Sequence, residues 1–236
     1  MMYDIFFKEY QLGIKILNLA ENVHFAAYLY RNYKCIERKM YTKKNSIYFD
    51  YDFNKKSGLF YIKIFIKKEG NISKSDTCYF YLKTDRELVL VDRKKILNID
   101  NVLIEGYIQN SDILFITFNG TRTTQKSRPF GLDFILQKGW SCICVYQDND
   151  TQYQYLSEEL LYRETFLFTR NKKVFTYGVS LGGYCAIYYG GILNATIIAG
   201  SPRNSAHPSI CIERFKDLEF NQKDIKDTTK TKKIYA

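Results

Sequence analysis

The stretch that decides the predicted fold is Tyr177-Gly178-Val179-Ser180-Leu181-Gly182-Gly183. An apolar strand is predicted before it, over residues 173–177, and an apolar helix after it, over residues 181–189. In that context the pattern glycine-x-serine-x-glycine is typical of a sharp turn from a strand into a helix. The glycines let neighbouring backbone pass closely, and Ser180 takes a strained conformation at the tip. The sequence therefore predicts that Ser180 lies above a sheet edge, beside the free N–H groups of a helix N-terminus.

Two places are predicted to supply hydrogen-bond donors to a developing negative charge at Ser180. One is the N–H of Leu181, and the other is the loop Asn119-Gly120-Thr121-Arg122, in which the small Gly120 leaves N–H groups accessible. The alternatives are a tightly packed glycine-rich turn at Ser180 and a plain Asn-Gly turn at Gly120. A phosphate-binding loop is disfavoured because the Walker spacing and its lysine are missing.

The chain around this turn alternates strands with helices. Apolar strands are predicted over residues 112–118, 141–146, 173–177 and 195–199, and helices over residues 128–138, 156–168 and 181–189. Strands that are apolar throughout indicate a parallel sheet covered on both faces, so we predict an α/β protein with a doubly wound parallel sheet. Ligands bind such sheets at the carboxyl ends of the strands.

Residues 12–108 have a different rhythm, with short aromatic and β-branched runs separated by short breaks. In residues 59–67 one face holds Phe60, Ile62, Ile64 and Ile66, a pattern that predicts a small antiparallel sandwich. The stretches Tyr28-Leu29-Tyr30, Ser46-Ile47-Tyr48-Phe49 and Ser57-Gly58-Leu59-Phe60-Tyr61 resemble an Ig-like accessory domain found beside bacterial sensor and glycan-processing domains. The same tyrosines also fit core positions and cross-strand pairs. We predict an Ig-like domain over residues 1–108 and a second domain over residues 109–236.

Residues 112–208 resemble the α/β-hydrolase superfamily. More narrowly, residues 175–186, which contain the strand-to-helix turn at Ser180 (the elbow, residues 178–182), and the stretch Ser201-Pro202-Arg203-Asn204-Ser205-Ala206-His207-Pro208 resemble hydrolase-like proteins of bacterial capsule and surface-glycan loci. Such relatives include esterases and glycan O-acetyltransferases. The resemblance implies a serine hydrolase or acyltransferase that forms an acyl-enzyme on Ser180, acts on a small-molecule or glycan substrate of bacterial surface polysaccharide, and needs no cofactor.

The base and the acid of such a site are harder to assign. The order expected is serine, acid, histidine, but the residues after the fourth strand leave no room for the two missing strands, so the sheet is predicted to be incomplete at the C-terminus. His207 is the candidate base, although it also fits a loop histidine held by Pro208. Each candidate acid also fits a solvated helix face: Asp217, Asp224 and Asp227. Serine without a base is a weak nucleophile, so the alternative is a catalytically impaired relative that binds a glycan or a protein.

Charged side chains after the predicted strands indicate a substrate site. Arg122 and Arg203 could hold an anionic sugar or phosphate through paired hydrogen bonds, with Asp148 at the same edge. Arg203 fits a cap on backbone carbonyls or a pair with Asp148 equally well.

The charge and the cysteine and histidine content of the chain limit the kinds of partner that we expect. The formal charge is +10, but the lysines are spread along the chain without a concentrated basic arm, so we expect no nucleic-acid binding. Six cysteines without a C-x-x-C motif, together with two histidines, predict buried thiols in a reducing compartment and no metal site.

We expect a cytoplasmic protein, because the sequence shows neither a signal peptide nor an apolar run long enough for a transmembrane helix. An incomplete sheet would leave the strand at residues 195–199 exposed at an edge, which predicts a homodimer or poor solubility.

Overall fold

A computed structural model of the chain describes residues 2–8, 11–31, 34–53, 57–85, 87–210, 212–228 and 234–235. The chain divides into two compact units, Met1–Val91 and Asp92–Ala236. Each unit has its own cluster of buried apolar side chains. The predicted division into an accessory and a catalytic domain stays a prediction about function.

The first unit consists of antiparallel strands. They are β1 (Met2–Lys8), β2 (Gln11–Leu17), β3 (Val23–Arg31), β4 (Lys34–Thr42), β5 (Ser46–Phe49), β6 (Gly58–Lys68), β7 (Asn71–Leu82) and the first residues of β8 (Leu88–Ile99). β1, β2 and β5 form a three-stranded sheet, whereas β4, β3, β6, β7 and residues 88–91 of β8 pair in that order. Phe60, Ile62 and Ile64 of β6 are fully buried and share one core with Ile14 of β2, as their alternation predicts.

The second unit is built on a sheet whose order is β14-β13-β12-β10-β11-β9-β8. Its remaining strands are β9 (Val102–Ile108), β10 (Ile113–Phe118), β11 (Ser141–Gln147), β12 (Lys173–Val179), β13 (Thr196–Gly200) and β14 (Ile234–Tyr235). The described helices are α1 (Leu132–Gln137), α2 (Glu158–Thr169) and α3 (Leu181–Gly190). β10 to β14 are parallel, so their carboxyl ends lie at one edge of the sheet.

The fold class predicted from the sequence, an α/β protein with a doubly wound parallel sheet of α/β-hydrolase type and an Ig-like sandwich, is wrong. The structure is mostly β: 47% of the described residues lie in strands, and these ranges contain three α-helices and a mixed sheet. β9 runs antiparallel to β11, and β8 runs antiparallel to β9. β9 is buried along nearly its whole length, so its sequence lacks the apolar-polar alternation of an antiparallel strand with one solvated face. The sequence pattern therefore carries no information on its direction.

Helix α3 determines where the candidate site lies. Its side chains are buried together with strand residues such as Ile116 and Ile197, and the ring of Tyr189 stacks on that of Phe118 at 5.4 Å. Packing along the parallel strands brings the N-terminus of α3 to the carboxyl edge of the sheet.

No helix in the described ranges has the length and apolarity needed to cross a bilayer.

Candidate active site

Ser180 lies between β12 and α3 in a backbone conformation that few residues adopt, with φ 55° and ψ −121°. Such a conformation is unfavourable for a residue with a Cβ and persists only where the surroundings hold it. The N–H of Ser180 donates to Gly200 O at 2.8 Å, and its carbonyl accepts from Tyr184 N at 3.0 Å and from Arg203 N at 3.1 Å. Hydrogen bonds from three segments of the second unit therefore hold the strained turn.

The glycines around Ser180 are required by close backbone contacts. A Cβ on Gly178 would lie 2.2 Å from the carbonyl group of Gly182, and one on Gly182 would lie 2.3 Å from Phe118 O. A Cβ on Gly183 would lie 2.7 Å from Gly200 O. These approaches are shorter than any ordinary contact, so the first turn of α3 packs directly against the ends of β10, β12 and β13.

The side chain of Ser180 is partly exposed and makes no capping hydrogen bond to its helix. Leu181 and Gly182 follow it in the first turn of α3, where an N–H has no carbonyl partner within the helix. The positive end of the helix dipole lies at the same place. Ser180 Oγ is thus placed beside N–H groups suited to an anion.

The loop after β10 lies against this turn, since the Gly182 Cβ position is 3.5 Å from Asn119 O. The backbone N–H of Asn119 is already used, since it donates to Val145 O, and the side-chain amide donates to Arg128 O. Around Gly120, in contrast, a Cβ would meet no atom within 4 Å. The Gly120 carbonyl accepts from Thr123 Oγ1 and Gln147 Nε2. The geometry therefore favours the N–H of Gly120 over that of Asn119 as the second donor.

His207 pairs with Asp224, one of the three candidate acids. His207 Nε2 lies 3.3 Å from Asp224 Oδ1, and Nδ1 lies 2.7 Å from Ser209 Oγ and 3.2 Å from Ser209 N. Because the Ser209 N–H donates to Nδ1, we assign the proton of the neutral ring to Nε2, where it donates to Asp224. Lys226 and then His207 lower the pKa of Asp224. The basic nitrogen of His207 thus faces Ser209, and the structure does not bring it to Ser180 Oγ.

The predicted substrate-binding residues are at the same edge but are not paired with one another. Arg122 and Arg203 are exposed, and their backbone N–H groups bond to Asp150 Oδ1 and Ser180 O. Asp148 accepts from Asn149 N and lines a separate polar concavity of about 480 Å³. In the described part of the chain no ion pair joins Arg203 to Asp148, so the guanidinium of Arg203 is not committed to it.

Two kinds of solved enzyme resemble parts of the chain. The capsule O-acetyltransferase of Neisseria meningitidis serogroup A, solved with caged gadolinium, matches 51% of this chain over 55% of its own length at 14% identity and TM-score 0.34. A variant of it in complex with CoA matches 59% over 67% at 15% identity and TM-score 0.37. An esterase from Aspergillus oryzae matches 54% over 28% at 16% identity and TM-score 0.31.

The matched region spans little more than half of the first of these proteins. No protein-family description and no curated protein matches the chain. The likeness is coarse and assigns no function to the chain.

The sequence alone did not show which residues support the loop after β10. Gln147, Asp150 and Arg214 meet there, with Arg214 Nη2 at 2.7 Å from Asp150 Oδ2. The polar run after the apolar strand β11 was a signal for Gln147 and Asp150, because a polar run at the carboxyl end of a strand borders the site. Nothing local marks Arg214, which reaches Asp150 from a distant short 3-10 turn, Glu213–Phe215. The described residues contain no group of three or more histidine, cysteine or acidic side chains suited to a metal ion.

Proposed function

We propose that this chain is a serine hydrolase or acyltransferase that forms an acyl-enzyme on Ser180. The observation that carries the proposal is the strained, hydrogen-bonded conformation of Ser180 at the N-terminus of α3. Strained residues of this kind cluster at functional sites.

The proposed chemistry uses two N–H groups. Ser180 Oγ attacks the acyl carbonyl carbon, the carbonyl oxygen becomes an oxyanion, and the N–H groups of Leu181 and Gly120 donate to it. The leaving group departs with a proton, and water or a glycan hydroxyl then takes the acyl group from Ser180 and restores the free hydroxyl. Each such donor typically contributes about 3 kcal/mol to lowering the barrier.

His207 is the proposed base, with Asp224 as its acid. Asp224 holds the Nε2 proton, which leaves Nδ1 as the nitrogen that accepts the serine proton. In the structure the hydroxyl and N–H of Ser209 occupy Nδ1. Ser209 must therefore release Nδ1 before that nitrogen can accept the proton of Ser180.

The proposed substrate is anionic. Arg122 and Arg203 flank the Ser180 edge, and a guanidinium binds phosphate or carboxylate oxygens in pairs. The proposal includes a glycan acceptor from bacterial surface polysaccharide and a cytoplasmic setting, both of which come from the family resemblance and the sequence.

The test uses p-nitrophenyl acetate, an activated ester, with the purified chain and two variants. Ser180→Ala should abolish turnover above background, whereas Ser201→Ala, an exposed serine after β13, should leave turnover unchanged. His207→Ala should lower kcat with little change in KM, because the base acts on the reacting proton. Turnover that survives Ser180→Ala would refute the proposal.

A catalytically impaired relative that binds a glycan or a protein is the second candidate, favoured by the occupied ring nitrogens of His207. Under that candidate the wild-type chain shows no esterase turnover, and the Ser180→Ala variant binds acidic oligosaccharides as tightly as the wild type. Turnover that depends on Ser180 would exclude it.

A further inference from the structure

The loop that follows β11 has an unusual backbone. Four of its residues have left-handed φ angles between 51° and 60°: Asn149, Asp150, Gln152 and Tyr153. Asparagine and aspartate tolerate this region, but glutamine and tyrosine rarely adopt it. Gln152 and Tyr153 are fully buried, so burial and hydrogen bonds hold them there. A loop held against its own backbone preference is a candidate for a positioning role.

Asp150 and Gln147 bond to the loop after β10 on both sides of Thr121. Asp150 Oδ1 accepts from Arg122 N at 3.0 Å, from Gln152 Nε2 at 2.9 Å and from Gln147 Nε2 at 3.3 Å. Gln147 Nε2 also lies 3.2 Å from Gly120 O, and Gln147 Oε1 accepts from Gln152 N at 2.7 Å. Asp150 therefore holds the Arg122 amide, and Gln147 holds the Gly120 carbonyl together with Thr123 Oγ1.

Tyr153 adds a third attachment. Its hydroxyl lies 3.1 Å from Asn119 O and 3.0 Å from Val145 O. Burial raises the pKa of Tyr153 well above its usual value, so the hydroxyl stays protonated and can donate. The carbonyls of Asn119 and Gly120 are thus both held by side chains from β11 and the loop that follows it.

Because the peptide group is planar, the hydrogen bonds to these carbonyls also fix the direction of the N–H groups that follow them. In a trans peptide the carbonyl and the following N–H point in opposite directions. Because Asn119 O points to Tyr153, the N–H of Gly120 points away from it. Because Gly120 O points to Gln147, the N–H of Thr121 likewise points away from this buried support. Both donors are therefore turned toward the open side of the loop.

The charge of Asp150 is compensated locally. A buried carboxylate beside an oxyanion would oppose catalysis by like-charge repulsion, but Arg214 Nη2 lies 2.7 Å from Asp150 Oδ2. The Asp150 side chain is 10% exposed and that of Arg214 is 45% exposed. Arg214 can thus balance the negative charge and still reach solvent.

We propose that Asp150 and Gln147 are positioning residues that orient the N–H groups of Gly120 and Thr121 toward the oxyanion, an inference that rests on the proposed acyl transfer at Ser180. Neither side chain touches substrate. Arg214 completes the arrangement by neutralising Asp150.

The experiment measures kcat and KM for p-nitrophenyl acetate in Asp150→Ala, Asp150→Asn and Gln147→Met. Asp150→Ala should lower kcat by about tenfold to a hundredfold with KM changed less than about threefold, because a misplaced donor weakens only the transition state. Asp150→Asn keeps an oxygen that accepts from Arg122 N and should recover part of the loss. Asp112→Asn, a fully exposed aspartate at the opposite edge of the sheet, is the matched control and should retain wild-type kcat.

The outcomes separate the two proposals. If wild-type turnover depends on Ser180 but Asp150→Ala and Gln147→Met both keep kcat within about threefold, the positioning role is wrong and the proposed function stands. If the wild type shows no turnover that depends on Ser180, the proposed function fails, and the positioning role fails with it. Should Asp150→Ala not fold, Asp150→Asn and the near-isosteric Gln147→Met still decide, since Gln147→Met removes the donor to Gly120 O. A fall in kcat without recovery in Asp150→Asn, accompanied by an equal rise in KM, would indicate general disruption and would also overturn the inference.

Discussion

Replacing Gly182 with alanine tests whether the elbow packs as described. The new Cβ would lie 2.3 Å from Phe118 O, so the end of β10 and the first turn of α3 must separate by roughly 1 Å to reach an ordinary contact. Overpacking of this kind costs about 1–3 kcal/mol. The atom that must move is backbone, which favours the upper part of that range, but the better helix propensity of alanine returns up to ~1 kcal/mol. We expect a net loss of about 2 kcal/mol.

Urea unfolding followed by tryptophan fluorescence measures this loss. Trp140 is the single tryptophan, and it stacks on Phe115 of β10 at 5.3 Å, so its emission reports on the second unit. Gly120→Ala is the matched control at the same sheet edge, because its Cβ meets no atom within 4 Å. We expect Gly120→Ala to stay within about 0.5 kcal/mol of the wild type. If Gly182→Ala is equally stable, the packing at the elbow is not as described.

Three further groups give testable expectations. Glu105 is buried, accepts hydrogen bonds from Tyr107 and Tyr146, and pairs with Arg93. Glu105→Leu should therefore lower the free energy of unfolding of the second unit, measured in urea, by about 3 kcal/mol, and a loss under about 1 kcal/mol would contradict this. Burial raises the pKa of Cys144, whereas Cys35 is only half-buried. In the native protein, iodoacetamide at about pH 8 should therefore modify Cys35 well before Cys144, as measured by peptide mass spectrometry. Equal rates of modification would contradict the burial of Cys144. The pKa of Asp224 is lower in the folded chain than its ordinary value of 3.8. The ionised carboxylate therefore stabilises the folded chain above that pH, and this stabilisation is lost as the pH falls further. Asp224→Asn should make the melting temperature fall less steeply below about pH 4. An unchanged dependence of the melting temperature on pH would contradict the pairing.

The elbow could be predicted from sequence because its requirements are local. Two glycines at fixed spacing around Ser180, with an apolar strand before and an apolar helix after, predict the strained turn, and the structure shows φ 55° there. The catalytic role of Ser180 stays a prediction. Strand positions were also predictable where the pattern is strong, as with Phe60, Ile62 and Ile64 on one face of β6.

The sheet topology could not be predicted in the same way. β8 and β9 join the second unit as antiparallel strands, whereas their short apolar runs fit equally well with the antiparallel strands that precede them. Strand direction and pairing are set by contacts far apart in sequence, and a buried strand shows no alternation that would reveal them. The predicted doubly wound sheet failed for that reason.

The supporting residues of the site were hidden for a related reason. Asp150 reaches Arg122 and Arg214 only because the fold brings three separate segments together. His207 is the only histidine after Ser180 in the sequence, but its orientation depends on Ser209 and Asp224. Residue identity narrowed the candidates, and only three-dimensional contacts could show which of them meet.

Mapping the covalent adduct of a fluorophosphonate probe tests the central claim most directly. The probe reacts with activated serine hydroxyls, and peptide mass spectrometry identifies the modified residue. The proposed acyl-enzyme predicts one adduct, on the peptide that contains Ser180, and its loss in Ser180→Ala. An adduct confined to Ser209, whose hydroxyl lies 2.7 Å from the basic nitrogen of His207, or no adduct in the wild type, would contradict the claim that Ser180 is the nucleophile.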